Sequence, residues 1–197
     1  MDALLDLERL SGIPGFPARA VVKDEEIAAG VRGFSATAKV HAIGETANVW
    51  YRSPKVPGLW CKGDTSSDEL DGHYFAWYLY HDLVADDAEK AEIAAVVRRV
   101  TDGILANNLT LVDHTGRKTR WGVWSPELIN KHPLFYDLRP LNSIEILMFL
   151  KVAGHITGDA KYAEAADRLI QDHHYLLNSL LMRRAEGRRW ADINHSD

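Results

Sequence analysis

Cysteine is almost missing: Cys61 is the only one in 197 residues. An internal disulfide and a cysteine-based zinc pattern are therefore excluded, and the expectation for Cys61 is a buried, inert thiol. No apolar run is long enough to span a bilayer, and residues 1–9 interleave charges with leucines, without the apolar core of a signal peptide. Basic blocks are missing too. The formal charge of −5 is spread along the chain, which argues against nucleic acid or an anionic membrane as partner. Glycine forms no phosphate-binding loop, and no Gly-x-Ser-x-Gly elbow occurs. His173 and His174 are adjacent on a helix and diverge, while His81, His114, His132 and His155 are scattered, so neither a metal site nor a cofactor is expected.

What is present is enough apolar material for one core. With 46% hydrophobic and 26% charged residues, the chain reads as one globular domain over residues 1–197. Leu4, Leu5, Leu7 and Leu10 mark a short helix that ends at Gly12. Residues 21–63 mix β-prone pieces with Ser53-Pro54 and Pro57-Gly58, and read as loop and short strand. A helix over about 67–84 is apolar on most faces through Tyr74, Phe75, Trp77, Tyr78 and Leu79, whereas one over 87–106 has a single stripe of Ile93, Val96, Val97, Val100 and Ile104. The same pair recurs after a hairpin over 109–121. Residues 141–153 form the more apolar helix, through Ile144, Ile146, Leu147, Met148, Phe149, Leu150 and Val152, and 159–183 are amphipathic. Alternating buried and half-buried helices are what two helical layers require, so the expectation is a mainly all-α fold of stacked α-hairpins with a small β-hairpin and an irregular N-terminal segment.

Three polar clusters stand directly before apolar stretches or the last residue: Asp64-Thr65-Ser66-Ser67-Asp68-Glu69, Arg139-Pro140-Leu141-Asn142-Ser143-Ile144-Glu145 and Asn194-His195-Ser196-Asp197. Helix starts carry unpaired N–H groups and a partial positive charge, so several gathered together form a site for an anion or a polyol. Residues 60–73, the run Arg120-Trp121-Gly122-Val123-Trp124-Ser125-Pro126-Glu127, Leu141-Asn142-Ser143 and Asn194-His195-Ser196-Asp197 resemble uncharacterised bacterial proteins of the six-hairpin glycosidase-like class. The resemblance spans most of the chain. It implies an (α/α)6 toroid with inner helices ringed by outer ones and an active site at one mouth. The class contains glycoside hydrolases and some polysaccharide lyases. About five helices are supplied here, so the expectation is a partial toroid with an apolar, unclosed flank open to self-association.

In that frame the first cluster places Asp68, Glu69, Asp71 and His73 around one helix start, where crowding raises one carboxyl pKa toward that of a general acid. Asp68 is the first choice for the acid, with Glu69, Glu127 or Asp197 as the second carboxylate and His73 as a tuning neighbour. The same residues also read as a cap, with Thr65 or Ser66 bonded to the first turn and Asp68 or Glu69 completing a capping box. Asn142 and Glu145 read as a second box, with Arg139 placed to hold a carboxylate. Trp60, Trp121 and Trp124 are candidates to stack on sugar faces, and Asp64, Asn142 and His195 to bind hydroxyls. The expected substrate is a carbohydrate, cleaved at a glycosidic bond. Two alternatives stay open. One is a lyase using His73 or Tyr74 as base and Arg139 as neutraliser, and the other a non-catalytic glycan-binding or scaffold module whose clusters are caps and whose tryptophans are core.

Overall fold

The computed structural model describes residues 1–30, 39–40, 46–47 and 50–181. It is mainly helical. Helix α1 (Asp2–Ser11) ends at Gly12 in the left-handed region, and is followed by β1 (Ala20–Lys23), the short α2 (Asp24–Ala28), β2 (Lys39–Val40), β3 (Thr46–Ala47), β4 (Trp50–Arg52) and β5 (Leu59–Lys62). The helical body consists of α3 (Ser67–Leu83), α4 (Asp87–Ala106), α6 (Arg139–Thr157), α7 (Ala160–His173) and α8 (Tyr175–Ser179). Between α4 and α6 run β6 (Thr110–Val112), β7 (Lys118–Val123), the single-turn α5 (Pro126–Ile129) and a 3-10 turn over Tyr136–Leu138. One sheet has the strand order β1-β5-β4 and is antiparallel; the other has the order β2-β3-β7-β6.

Helix α4 begins where Asp86 accepts from Glu89 N–H (2.9 Å) and Glu89 reaches back to Asp86 N–H (2.9 Å), closing a capping box at the predicted start. Its stripe of Ile93, Val96, Val97, Val100 and Ile104 is fully buried, each side chain contributing about 1.5–3 kcal/mol by leaving water. The stripe packs on α6 and α3. Helix α6 is the centre of the body, touching α3, α4, α7 and α8, and it buries Ile146, Phe149, Leu150 and Ala153.

Helices α3 and α6 run in the same direction. Tyr74 stacks on Phe149 at 4.3 Å between ring centroids midway along, and Asp82 meets His155 where both helices end. Their front ends therefore lie together too, with β7 against both: Asn142 of α6 donates to the Val123 carbonyl (2.8 Å), and Asp64, just ahead of α3, accepts from Arg120 N–H (3.4 Å). This shared front is what positions the candidate site.

Three expectations need correction. Helix α6 starts at Arg139 and not at Leu141, because Pro140 has the fixed φ of a first turn and the preceding 3-10 turn feeds into it. Asn142 is consequently inside the helix and does not cap it. The amphipathic stretch from 159 is not one helix, since His174 takes a φ of 60° and divides α7 from α8. Nor are the inner helices covered on all sides: Phe75 is 62% and Ile144 46% exposed, and Tyr78 is also exposed.

Candidate functional site

The front of α3 is organised by local bonds. Asp64 adopts a left-handed φ of 59°, which turns the chain from β5 into the helix. Thr65 Oγ1 donates to the Pro17 carbonyl (2.7 Å), tying the turn to the N-terminal segment. Glu69 bonds back to Ser66 N–H (2.7 Å), and the Ser66 hydroxyl contacts both the Asp68 and the Glu69 carboxylates. Arg19, a residue without a local sequence signal, forms an ion pair with Glu69 at 2.9 Å. Glu69 is thus engaged as cap and ion pair. Asp68 is exposed, Asp71 is half-buried, and Asp64 is buried. Lys62 completes the charge set. Burial and the neighbouring Arg19 cation lower its pKa, against the opposing pull of Asp64 and Glu69.

One turn further in, His73 is buried against Trp77, with ring centroids 5.1 Å apart. Its Nδ1 and the Trp77 indole N–H have no hydrogen-bond partner among the described residues. Burial brings the imidazole pKa down to about 4, so His73 is neutral in the fold at pH 7. An unfolded histidine titrates near its ordinary value of about 6.5, so between pH 6.5 and 4 the unfolded chain binds the proton in preference to the folded one. Stability is therefore full above pH 6.5 and is lost as pH falls, by about 3 kcal/mol at pH 4 from this group. His73→Gln is expected to flatten that part of the pH dependence. Urea unfolding of both proteins at pH 7, 5.5 and 4 measures it, and parallel curves would contradict the assignment.

At the front of α6 most polar groups face inward. Asn142 is buried with its amide on the Val123 carbonyl and, at 3.3 Å, the Trp121 carbonyl, and buried Ser143 accepts from Asn178 Nδ2 (3.1 Å). Trp124 is fully buried, its indole N–H donates to Glu145 (2.9 Å), and its ring meets Phe149 edge-on at 5.5 Å. No sugar can stack on it. Arg139 donates to the carbonyls of Ile129 and Asn130, both at 2.8 Å, and so pins α5 to α6 instead of presenting a free cation. Trp60 is half-buried on β5, bonded through Nε1 to Asp24 (2.7 Å) and covered by the Arg52 guanidinium at 4.5 Å.

Trp121 is different. It is 39% exposed on the strand that lies against both helix fronts, with the Arg120 guanidinium over its ring at 4.5 Å. Glu127, at the start of α5, is also exposed. The Ser125 hydroxyl, donating at 2.8 Å, and its own backbone N–H hold its carboxyl below the ordinary range, so it is ionised and suits a base or nucleophile rather than an acid. His195 and Asp197 lie outside the described residues.

The described residues thus bring Asp64, Asp68, Glu69 and Trp121 to one end of the inner helices, with Asn142 beneath them, and leave Trp60 on the β5 sheet. At the opposite end is a group that sequence reasoning missed: His81, Asp82 and His155, expected as scattered, meet where α3 and α6 finish. The signal available was directional, since parallel helices of similar length share both ends. Compared with family models, with curated proteins and with solved structures, the chain gives no match in any of the three.

Proposed function

We propose that this chain is a carbohydrate-active protein of the glycosidase-like kind, built as a partial (α/α)6 toroid, whose sugar-binding mouth is the shared front of α3 and α6. The observation that carries the reading is the exposed Trp121 indole on the strand against both helix fronts, with the exposed carboxylate of Asp68 at the first of them. An indole supplies a flat apolar face for sugar C–H groups, a carboxylate accepts hydrogen bonds from hydroxyls, and a protonated carboxyl gives its proton to a leaving oxygen. In this reading Asp68 is the acid and ionised Glu127 the base or nucleophile. Glu69 is a positioning residue that orders the turn around Asp68. The exposed Phe75, Tyr78 and Ile144 are the unclosed flank of the ring.

A panel of oligosaccharides incubated with the protein, with products read by mass spectrometry, tests the reading. Trp121→Ala is expected to weaken retention of the bound oligosaccharide at least about tenfold while changing stability by less than about 1 kcal/mol. Asp68→Asn is expected to abolish cleavage and leave binding in place. Equal binding by Trp121→Ala and the native protein would refute the proposed mouth.

The non-catalytic reading has its own support: the Glu69 capping bond and its Arg19 ion pair are structural, and Trp124 is core. Binding without cleavage in the same assay selects it. The lyase alternative draws less support, because the Tyr74 hydroxyl is buried on Thr101 (2.7 Å) and Arg139 is spent on backbone carbonyls.

A further inference from the structure

The C-terminal ends of α3 and α6 hold a compact group of metal-ligating side chains. His81 Nδ1 lies 2.7 Å from Asp82 Oδ1, and His155 Nε2 lies 3.0 and 2.9 Å from the two Asp82 oxygens. One ligand atom from each of the three residues falls within 4.8 Å of the others. Around a tetrahedral zinc with bonds of about 2.0–2.2 Å, donor atoms stand roughly 3.3–3.5 Å apart, so the two imidazoles need only separate slightly from the Asp82 oxygens, by about half an ångström, for an ion to enter between the three side chains. Two imidazoles and a carboxylate are a donor set that borderline divalent metals prefer, and they leave further positions to solvent.

Position in the fold favours a cation here. His81 and His155 are in the last turns of the two helices, where unpaired carbonyls and the negative end of each helix dipole converge. The rings are also held from the side: Tyr78 meets His155 edge-on at 5.5 Å, and the two imidazoles are themselves edge to face at 6.1 Å. No other cationic side chain is bonded to Asp82 among the described residues.

We propose that His81, Asp82 and His155 form a binding site for a divalent transition-metal ion of the zinc type, which clamps the C-terminal ends of α3 and α6 together. This site is separate from the helix-front mouth and stands whether or not the carbohydrate reading holds. The clamp joins two elements that are 73 residues apart in sequence at the pair His155–Asp82.

Zinc chloride titrated by calorimetry into the tag-free full chain is the test. The native protein is expected to bind one zinc per chain saturably, and its melting temperature to rise with zinc. His155→Ala and Asp82→Asn are each expected to weaken that binding at least about tenfold and to lose the zinc-dependent rise. His132→Ala, a histidine away from the cluster, is expected to leave both unchanged. Asp82 and His155 are exposed and His132 is half-buried, and circular dichroism checks that the variants fold. Failure of the native protein to bind zinc, or equal binding by His155→Ala, overturns the site and leaves the cluster as imidazole–carboxylate hydrogen bonds at two helix ends.

Discussion

Replacing Trp124 by alanine is expected to destabilise the fold by about 3–5 kcal/mol, the range for deleting a fully buried large aromatic side chain. The position joins three parts of the molecule. Its indole N–H reaches Glu145 on α6, its ring packs edge-on against Phe149, and its carbonyl accepts from the buried Tyr175 hydroxyl of α8. Its backbone N–H bonds to the Leu109 carbonyl (2.8 Å) at the start of the β6–β7 hairpin. Alanine keeps the two backbone bonds and loses the rest, leaving a cavity above α6 and taking a donor from the buried Glu145 carboxylate. Trp124→Phe separates the two losses. It fills most of the space but supplies no N–H, so it is expected to cost about 1–3 kcal/mol, the penalty for removing one partner of a buried polar pair. Urea midpoints of the two variants and the native protein measure both. An alanine cost below about 1 kcal/mol would show that β7 and α6 are not coupled through this side chain.

The contrast between Trp124 and Trp121 was not legible in the sequence, which offered both as stacking residues. Simple alternation does not decide it, because the β6–β7 ladder has a register irregularity and Val123, two residues from exposed Trp121, is itself buried. Trp121 is on the solvent side and Trp124 in the core. Helix α4 was legible: a five-residue apolar stripe at helical spacing, with charges on the other face, marks residues 87–106, and the helix runs from Asp87 to Ala106. The start of α6 misled, because Asn142 and Glu145 have the spacing of a capping box while both are buried and bonded to the hairpin. Local spacing does not distinguish a cap from a tertiary contact.

Nothing local announces Arg19 as the partner of Glu69, or Glu8 as the partner of Arg99 at a separation of 91 residues. Burial of Cys61 was readable from its isolation. The fold agrees: the thiol is fully buried, and burial pushes its pKa up to about 11. The His81–Asp82–His155 group lies between these cases. Each residue alone is an ordinary last-turn side chain, and only the parallel course of α3 and α6 makes them neighbours.

Gly15→Ala is expected to cost about 4 kcal/mol, from two sources that act at the same atom: about 1–2 for an L side chain in the left-handed region and about 1–3 for overpacking. Gly15 has a φ of 79°, and a Cβ built on it would stand 2.4 Å from the Arg99 carbonyl oxygen of α4. A carbonyl within a helix cannot move without breaking the helix, so the turn after α1 would have to withdraw. That withdrawal would pull Gly15 N–H from the buried Glu8 carboxylate (3.0 Å), which also takes two bonds from Arg99, at 2.9 and 2.7 Å. Gly158→Ala is the matched control. Its φ of 73° is just as unfavourable, but nothing lies within 4 Å of the added carbon, so it is expected to cost only the conformational share of about 1–2 kcal/mol. Thermal and urea unfolding of the two variants isolate the steric part by difference. Equal losses would mean that α1 and its turn are not seated on α4 as described, and the bidentate Glu8–Arg99 pair would lose its geometric basis.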